Sequence, residues 1–523
     1  MVNKANIAQK IGIASFIMMG SVLASRFIGV FREMVIAGLG GIKAGVDAYQ
    51  LAFIIPEILN HIVASGFLSI TFIPIFSYYL AAGRKQEGER VFSNIMNCFG
   101  LLLIIFIIIS LIWTEQLVSL FAPGIQSPQT FSLAVKMTRI IIPAQFFFFA
   151  GGLLMAVQFA NEKFFIPALA PLIYNLFIIL GGLMLAPYMG MEGFAWGVLA
   201  GAFMGNFALQ IIGLKKLHIR YFPIFNISHP DLIKYIKLTL PLMLGLTMIF
   251  STEILVKFFG SFLETGRIAA MNYAIRIMFI LVGLFGQAIG MASYPFMAKL
   301  AGEGKFRELN ELLNNTLKFI FLVIPFSVLF IVLNHEIVLL LFQRGRFDAQ
   351  ATMVTAEILP FFMVGAFAFS AQTLVSRGYY AVQNTLFPSI FSSVCVLLSL
   401  PFIYALMILK GATGLALGLS ISVVLQVFVL FECWSRKNSN TDKKHVYLFF
   451  LQIILISLLM GVLLYFSVSL LRGIISYQTF KGALIISLAT GIEFILLLLA
   501  MGKIFKIHEL TILFEKIIKR RKS

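Results

Sequence analysis

Three arginines stand inside long apolar stretches of this 523-residue sequence. Arg26 and Arg32 lie in the first stretch, with Glu33 beside the second of them, and Arg276 lies in the eighth. An Arg at the centre of a membrane-spanning helix costs about 2.5 to 3.5 kcal/mol on insertion scales, so such a residue faces water, a partner or a ligand. Three guanidinium groups facing one cavity would suit a phosphate or pyrophosphate, because each forms paired hydrogen bonds with its oxygens.

Ion pairs within the protein are the competing interpretation of these charges. Glu33 would neutralise Arg32, and Glu253 would neutralise Arg276. Glu253 and Lys257 are four residues apart, which puts them on one helix face, so the sequence predicts that they pair with each other. A role in gating is the alternative for this second pair.

Asp47 is predicted at the outer mouth of the second apolar stretch. There its carboxylate would cap that helix or pair with an arginine when an outer gate is shut. The sequence holds no nucleotide-binding loop, catalytic triad or metal-ligand cluster, and its three cysteines lack paired spacing. We therefore expect no enzyme, no cofactor and no bound metal, and we expect transport energy to come from sodium, protons, the membrane potential or the substrate's own gradient.

The elements that must position these residues are membrane helices. A chain that is 60% hydrophobic and 12% charged is not a soluble globular protein. Its continuous apolar runs approach the roughly 20 residues that a helix needs to cross a bilayer. The predicted fold is an all-α polytopic membrane protein of about fourteen transmembrane helices, placed near residues 11–39, 47–80, 93–113, 133–158, 165–187, 192–213, 234–258, 268–298, 312–334, 352–377, 386–409, 412–434, 446–471 and 480–503.

The positive charge is distributed by side of the membrane. With the N-terminus in the cytoplasm, most of the 40 Lys and Arg fall on the cytoplasmic side of the predicted spans. This bias predicts a bacterial inner-membrane protein with both termini cytoplasmic. It also accounts for the net charge of +18 through topology and contacts with anionic membrane lipids, without a nucleic-acid partner.

An internal duplication runs through most of the chain at an offset of 221 residues. It predicts two six-helix lobes, residues 1–213 and 214–434, related in parallel by an axis along the membrane normal with the substrate path between them. A helix pair at 446–504 and a basic cytoplasmic tail at 505–523 lie outside it; the pair would form a lipid-tail groove or simply add packing area. The matched positions are Pro74 and Pro295, Gly83 and Gly304, Phe121 and Phe342, Gly124 and Gly345, Pro167 and Pro388, Gly193 and Gly414, Ala195 and Ala416, and Gly197 and Gly418.

Several short segments together resemble the MurJ (MviN) family of lipid II flippases, within the superfamily of multidrug, oligosaccharidyl-lipid and polysaccharide exporters. They are residues 25–33 (SRFIGVFRE), 47–56 (DAYQLAFIIP), 122–124 (APG), 166–171 (IPALAP) with Asn175, 273–276 (YAIR) and 341–347 (LFQRGRF). The resemblance implies that Arg26, Arg32 and Arg276 line a central cationic cavity and engage a pyrophosphate. It also implies a groove for an undecaprenyl chain on the last helix pair, and alternation between inward-open and outward-open states.

The sequence departs from the family pattern at several polar positions. Asn60 and His61 stand where the family usually has two arginines, and Ser65 replaces a glutamate. Asn384 stands where the family has an acid, which argues against sodium coupling at that site because a neutral amide binds a cation less strongly. His61 would restore positive charge at acidic pH, or it is a packing residue.

The resemblance and the arginines together predict a flippase that moves lipid II from the cytoplasmic to the periplasmic leaflet by alternating access, as a monomer, for cell wall synthesis. The alternative cargo is another undecaprenyl-pyrophosphate-linked oligosaccharide, such as an O-antigen or exopolysaccharide unit. A drug-cation antiporter would need acids in the cavity where this sequence has arginines. A membrane scaffold without transport would leave those arginines unexplained.

Overall fold

The computed structural model describes residues 4–60, 67–246, 251–505 and 507, and within these ranges every regular element is helical, as predicted. Contacts divide the chain into two compact units. Unit 1 comprises Met1–Ala269 and unit 2 comprises Ala270–Ser523.

Unit 1 is built from helices that begin and end at recognisable signals. Ser127 starts α7 by accepting a hydrogen bond from the Thr130 backbone N–H at 3.3 Å, with Pro128 as the first helical residue. The helices are α1 (Lys4–Gly40), α2 (Ala44–Leu51), α3 (Ile54–Leu59), α4 (Phe67–Ala81), α5 (Lys85–Ile112), α6 (Thr114–Phe121), α7 (Pro128–Ile141), α8 (Ala144–Ala160), α9 (Phe165–Met189), α10 (Glu192–Gly201), a π-helical segment (Ala202–Ala208), α11 (Leu209–Lys216), α12 (Pro230–Leu246) and α13 (Ser251–Gly260).

Unit 2 follows the same rules. Asp348 caps α19 by accepting from the Ala351 N–H at 2.8 Å, and Thr479 caps α23 by accepting from the Gly482 N–H at 3.1 Å. The helices are α14 (Arg267–Leu281), whose first three residues belong to unit 1, a π-helical segment (Val282–Gln287), α15 (Ala288–Gly302), α16 (Phe306–Phe321), α17 (Val323–Val332), α18 (Asn334–Phe342), α19 (Ala349–Met363), α20 (Ala366–Ala381), α21 (Leu386–Lys437), α22 (Lys443–Ile474) and α23 (Phe480–Ile504).

The helices are long and apolar enough for a multi-pass membrane protein. Within the described ranges nine helical segments, some joining two or three of these elements, could cross a membrane, or ten if the pair α19 and α20, bent by 43°, forms one span. The 52-residue α21 contains a break at Gly411, with φ 59° and ψ −134°, between the predicted spans 386–409 and 412–434. The count of fourteen spans stays a prediction.

The internal duplication is visible in the backbone itself. Four pairs of residues with positive φ angles each lie 221 residues apart, which is the offset found in the sequence. Two of the pairs contain no glycine, so the second copy repeats the chain path even where the side chain has changed. The pairs, with their φ angles, are Gly83 (71°) and Gly304 (72°), Glu162 (58°) and Gln383 (60°), Gly190 (60°) and Gly411 (59°), and His218 (52°) and Ser439 (50°).

Helix α12 belongs to unit 1 although it follows the predicted end of the first lobe at residue 213. The Tyr79 hydroxyl donates to the Asp231 carboxylate at 2.6 Å, and the Thr71 and Thr239 hydroxyls lie 2.9 Å apart. The compact units follow contacts, whereas the predicted lobes follow the sequence repeat. The lobes, the helix pair and the tail therefore stay predictions.

The connector between α11 and α12, residues 217–229, is held against α5 by side-chain amides. Asn94 exchanges two hydrogen bonds with the backbone of Asn226, donating to its carbonyl at 2.9 Å and accepting from its N–H at 2.6 Å. Asn97 donates to the Ile224 carbonyl at 2.7 Å. These bonds satisfy backbone groups that a loop would otherwise leave to water.

Unit 2 holds its own connector in the same manner. Asn310 on α16 donates to the Asn438 carbonyl at 2.8 Å and accepts from the indole N–H of Trp434 at 2.9 Å. The side-chain amides of Asn314 and Asn440 donate to each other at 2.9 Å. The segment between α21 and α22 is thus fixed to α16.

Candidate functional site

Arg32, near the end of α1, makes two charged or polar contacts in unit 1. Its Nη2 lies 2.6 Å from Glu33 Oε1, and its Nη1 donates to Asn175 Oδ1 on α9 at 3.0 Å. Its side chain is 21% exposed, whereas that of Glu33 is 6% exposed. The pair with Glu33, the competing interpretation of Arg32, is therefore present.

Helix α9 places Asn175 for this contact. The Asn175 side-chain N–H₂ donates to the Pro171 carbonyl one turn earlier at 2.9 Å, which turns its Oδ1 toward the guanidinium. Ser21 on α1 also donates to the Ala168 carbonyl on α9. The buried Nε of Arg32 makes no hydrogen bond within the described part of the chain, so one donor of the guanidinium has no acceptor in this state.

The other two predicted arginines lie on separate elements. Arg26 is exposed on α1, six positions before Arg32. That spacing corresponds to a separation of about 120° around the helix axis, so the two side chains project in different directions. Arg276 is half-buried on α14 within unit 2. The convergence of all three on one cavity stays a prediction.

The segments that carry the family resemblance in unit 2 pack against each other. The ring of Tyr273 on α14 lies 5.0 Å from that of Phe342 and 5.5 Å from that of Phe347. All three side chains are buried. These ring contacts join the helix turn before Arg276 to the matched segment 341–347.

Lys257 on α13 forms an ion pair that the sequence did not predict. Its Nζ lies 2.7 Å from Glu57 Oε2 on α3, and the two side chains are 6% and 23% exposed. The prediction that Lys257 pairs with Glu253 on its own helix is therefore wrong. The i to i+4 spacing allowed that pair, but Glu57 belongs to a helix 200 residues earlier in the chain.

The polar positions after Glu57 are only partly described. Asn60 is half-buried and terminates α3, with its backbone N–H donating to the Pro56 carbonyl. His61 and Ser65 lie outside the described residues. The predicted loss of cavity charge at these three positions stays a prediction.

Asp47 is buried and accepts two backbone hydrogen bonds in unit 1. Its Oδ1 accepts from the Ala269 N–H at 2.8 Å, and its Oδ2 accepts from the Gly266 N–H. The carboxylate thus caps the first turn of α14, where the exposed N–H groups and the helix dipole favour negative charge. The expectation that it caps its own helix is wrong, because α2 already begins at Ala44.

A cavity of about 520 Å³ opens beside this cap. It is lined by Asp47, by residues 124–127 and by residues 260–265, all of unit 1. Gly124 packs so closely that a side chain there would meet the backbone of Phe262. In the described ranges no three His, Cys, Asp or Glu side chains converge to hold a metal ion.

Sequence reasoning missed Asn175 and Glu57 as members of the site. Asn175 was noted only as part of a matched segment. A lone side-chain amide in an apolar span, four residues after a proline, nevertheless indicates a polar contact inside the protein. Glu57 gave a similar signal, as an acid beside Pro56 in a predicted span. A polar side chain in such a span needs a partner, and neither partner is close in sequence.

The sequence comparisons agree across most of the chain. A family model described as "Lipid II flippase MurJ" matches residues 36–510. A probable lipid II flippase MurJ of Buchnera aphidicola subsp. Baizongia pistaciae is 27% identical over 463 residues, which cover 87% of this chain and 90% of that protein. The lipid II flippase MurJ of Burkholderia cenocepacia is 27% identical over 424 residues, which cover 79% of this chain and 81% of that protein.

Solved structures show the same likeness in three dimensions. A lipid II flippase MurJ in an inward closed conformation has a TM-score of 0.75 and 26% identity, covering 92% of this chain and 98% of that one. An inward-facing MATE family multidrug resistance transporter of the MOP superfamily has a TM-score of 0.68 at 16% identity, covering 80% and 96%. The second likeness concerns the fold alone.

Proposed function

This chain belongs to the lipid II flippase MurJ family, and we infer from that membership that it flips lipid II, the lipid-linked precursor of peptidoglycan. The observation that carries this conclusion is the family match over residues 36–510, which includes Arg276 and nearly all described helices. The comparisons favour lipid II over the other undecaprenyl-pyrophosphate-linked oligosaccharides that the sequence left open. The protein is a multi-pass membrane transporter.

The finer features of transport are part of the proposal. The cargo moves from the cytoplasmic to the periplasmic leaflet of the inner membrane by alternating access, and both termini lie in the cytoplasm. The protein works as a monomer without a cofactor and without catalysing a reaction. A gradient of sodium or protons, or the membrane potential, supplies the energy.

Arg32 is the residue whose geometry best supports pyrophosphate binding. Asn175 and Glu33 hold its guanidinium in place, and the side chain is still 21% exposed, so part of the group remains open to a ligand. Glu33 stabilises the charge in the absence of cargo, since an unpaired guanidinium in a low-dielectric environment is costly. A pyrophosphate carries more negative charge than one carboxylate and accepts paired hydrogen bonds, so it competes for the same group. Arg26 and Arg276 are proposed to contact the cargo as well.

The test replaces Arg32 by Ala and by Lys and measures lipid II exposed on the periplasmic face of cells that depend on this protein. We expect Arg32→Ala to lower the flipping rate about tenfold to a hundredfold, because a charged hydrogen bond is worth about 1.5 to 3 kcal/mol. Arg32→Lys should fall between, since Lys keeps the charge and loses the paired geometry. Arg84→Ala is the matched control, because Arg84 also pairs with a nearby glutamate, Glu87, but is 50% exposed.

A second measurement separates the cargo from its rivals. Purified protein should bind lipid II more tightly than a lipid-linked O-antigen unit, and Arg32→Ala should weaken that binding. Equal binding of both lipids would contradict the assignment of lipid II. Unchanged exposure of lipid II in the Arg32→Ala cells, with normal protein levels, would contradict the role of Arg32.

A further inference from the structure

A second cavity, of about 770 Å³, lies in unit 1 among α6, α7, α9 and α10. None of its lining residues belongs to the Arg32 cluster or to the Asp47 cap. The side chains that matter for its chemistry are Glu115, Lys136, Arg139, Glu192, Trp196 and Leu199. The inferred flippase function assigns no role to this cavity.

The charges around the cavity are balanced. Lys136 Nζ lies 2.8 Å from Glu192 Oε2, and Arg139 Nη2 lies 3.2 Å from Glu115 Oε1. The side chains of Lys136, Arg139 and Glu115 are 61%, 46% and 60% exposed, whereas that of Glu192 is 10% exposed. Two cations and two carboxylates therefore face one opening, and three of the four remain accessible to a ligand.

Helix α7 lines this cavity with both charged and apolar side chains. Lys136, Arg139 and Ile140 stand at the spacing i, i+3 and i+4 that places residues on one helix face, and Pro143 follows just after the helix. The lining is therefore apolar beyond Arg139, and apolar Phe131 and Val135 line the cavity before Lys136.

Helix α10 lines the cavity with a charged residue followed by apolar ones. Glu192 stands in its first turn, and Trp196 and Leu199 follow at i+4 and i+7 on the same face. Seven residues correspond to about 10 Å along the axis, which exceeds the thickness of one headgroup layer and reaches the first acyl carbons. From Lys136 and Glu192 onward, both helices therefore pass from charged to apolar residues, as a lipid does from headgroup to chain.

Exposed aromatic residues place this cavity at a membrane surface. Trp196 lines it and is 43% exposed, Tyr188 just before the end of α9 is 87% exposed, and Trp113 just before α6 is 50% exposed. Trp and Tyr concentrate at the boundary between headgroups and acyl chains. The charged end of the cavity thus lies at headgroup depth, and its apolar end lies at acyl depth.

We propose that this cavity is a binding site for a zwitterionic phospholipid with a primary ammonium in its headgroup, namely phosphatidylethanolamine. The phosphate bonds to Lys136 and Arg139, and the ammonium donates to Glu115 and Glu192. The acyl chains lie along Ile140 and Leu199. The lipid replaces the two internal ion pairs with contacts of the same sign pattern, so no charge is left without a counter-charge.

Charge and hydrogen bonding select this lipid over two common alternatives. Phosphatidylglycerol has a phosphate but no cation, so its headgroup would leave both carboxylates facing an anion. Phosphatidylcholine has a cation without N–H groups, so it cannot donate hydrogen bonds to Glu115 and Glu192. The ethanolamine ammonium satisfies both requirements.

The experiment is native mass spectrometry of the purified full chain with each of the three phospholipids, carrying identical acyl chains. We expect phosphatidylethanolamine to be retained at the lowest lipid concentration. The double variant Glu115→Gln with Arg139→Gln should lower its retention about threefold to tenfold, because exposed charge contacts are individually weak. Both residues are exposed, so the variant should fold.

Ser132→Trp provides an independent variant, since Ser132 lines the cavity and a large ring there fills it without changing any charge. It should lower phosphatidylethanolamine retention as well. The matched control is Arg84→Gln with Glu87→Gln, another exposed arginine and glutamate pair that does not line this cavity. Equal retention of the three lipids, or an equal effect of the control pair, would overturn the proposal.

Discussion

Removing Glu57 and Lys257 together should leave the protein more stable than removing either charge alone. The two groups are 2.7 Å apart in unit 1, and Lys257 is 6% exposed while Glu57 is 23% exposed. A buried ion pair adds little net stability, because desolvation of both ions offsets their attraction. A Lys257 ammonium left behind in the same place loses that compensation.

The exposures of the two side chains set the order of the effects. Glu57→Ala leaves the ammonium of Lys257 nearly without water, which we expect to cost about 3 to 5 kcal/mol of unfolding free energy. Lys257→Ala leaves a carboxylate that water still reaches, which should cost about 1 to 3 kcal/mol. The double variant Glu57→Gln with Lys257→Met should lie within about 1 kcal/mol of the unchanged protein.

The assay is unfolding of the purified protein in mixed micelles, with lipid II flipping measured on the same variants. The control is the pair of Glu303 and Lys305, which lie 2.8 Å apart but are 38% and 51% exposed, so single substitutions there should cause no measurable loss. If the double variant is as unstable as Glu57→Ala, the instability does not come from an unpaired Lys257 charge, and the reasoning fails. If it is stable but inactive, Lys257 acts on the cargo and its role is more than structural.

Two further predictions concern the backbone. Gly190→Ala should lower stability by about 1 to 3 kcal/mol in a thermal unfolding measurement, because its φ of 60° and ψ of −137° suit only glycine, although a side chain there would have open space. The control is Gly20→Ala, which is also in open space but lies inside α1, and it should be neutral or stabilising in the same measurement. Asp47→Ala should lower stability by about 1 to 3 kcal/mol, because the N–H groups of Gly266 and Ala269 lose their acceptor, and Asp47→Asn should lose less. An Asp47→Ala protein that unfolds at the unchanged temperature would show that water replaces the carboxylate.

The membrane helices and the duplication could be predicted from the sequence because they depend on local properties. Continuous apolar runs identify spanning helices, and Gly and Pro at a fixed offset report backbone shape. The predicted spans 386–409 and 412–434 leave a gap, and Gly411, the residue at which α21 breaks, lies in it. The positive φ at Glu162 and Gln383 could not have been read from residue type, because neither side chain favours that conformation.

The partners of the charged side chains could not be predicted in the same way. Arg32 contacts Asn175, and Lys257 contacts Glu57, across 143 and 200 residues of sequence. Spacing along one helix proposes only the local partner, such as Glu253 for Lys257. The local proposal was correct for Arg32 and Glu33, where the two side chains are adjacent, and wrong where a helix from elsewhere in the chain supplied the carboxylate.

The amide clamps on the two connectors restrict where each unit can bend. Asn94 and Asn97 fix residues 217–229 to α5, and Asn310 and Asn314 fix the start of the segment between α21 and α22 to α16. A connector held by these hydrogen bonds cannot extend when the helices that it joins tilt. We expect bending near the first connector to occur in the π-helical segment Ala202–Ala208 of the preceding span, where the backbone is wound more loosely than in an α-helix. The two copies of the repeat therefore share a hydrogen-bonded connector as well as the same order of helices.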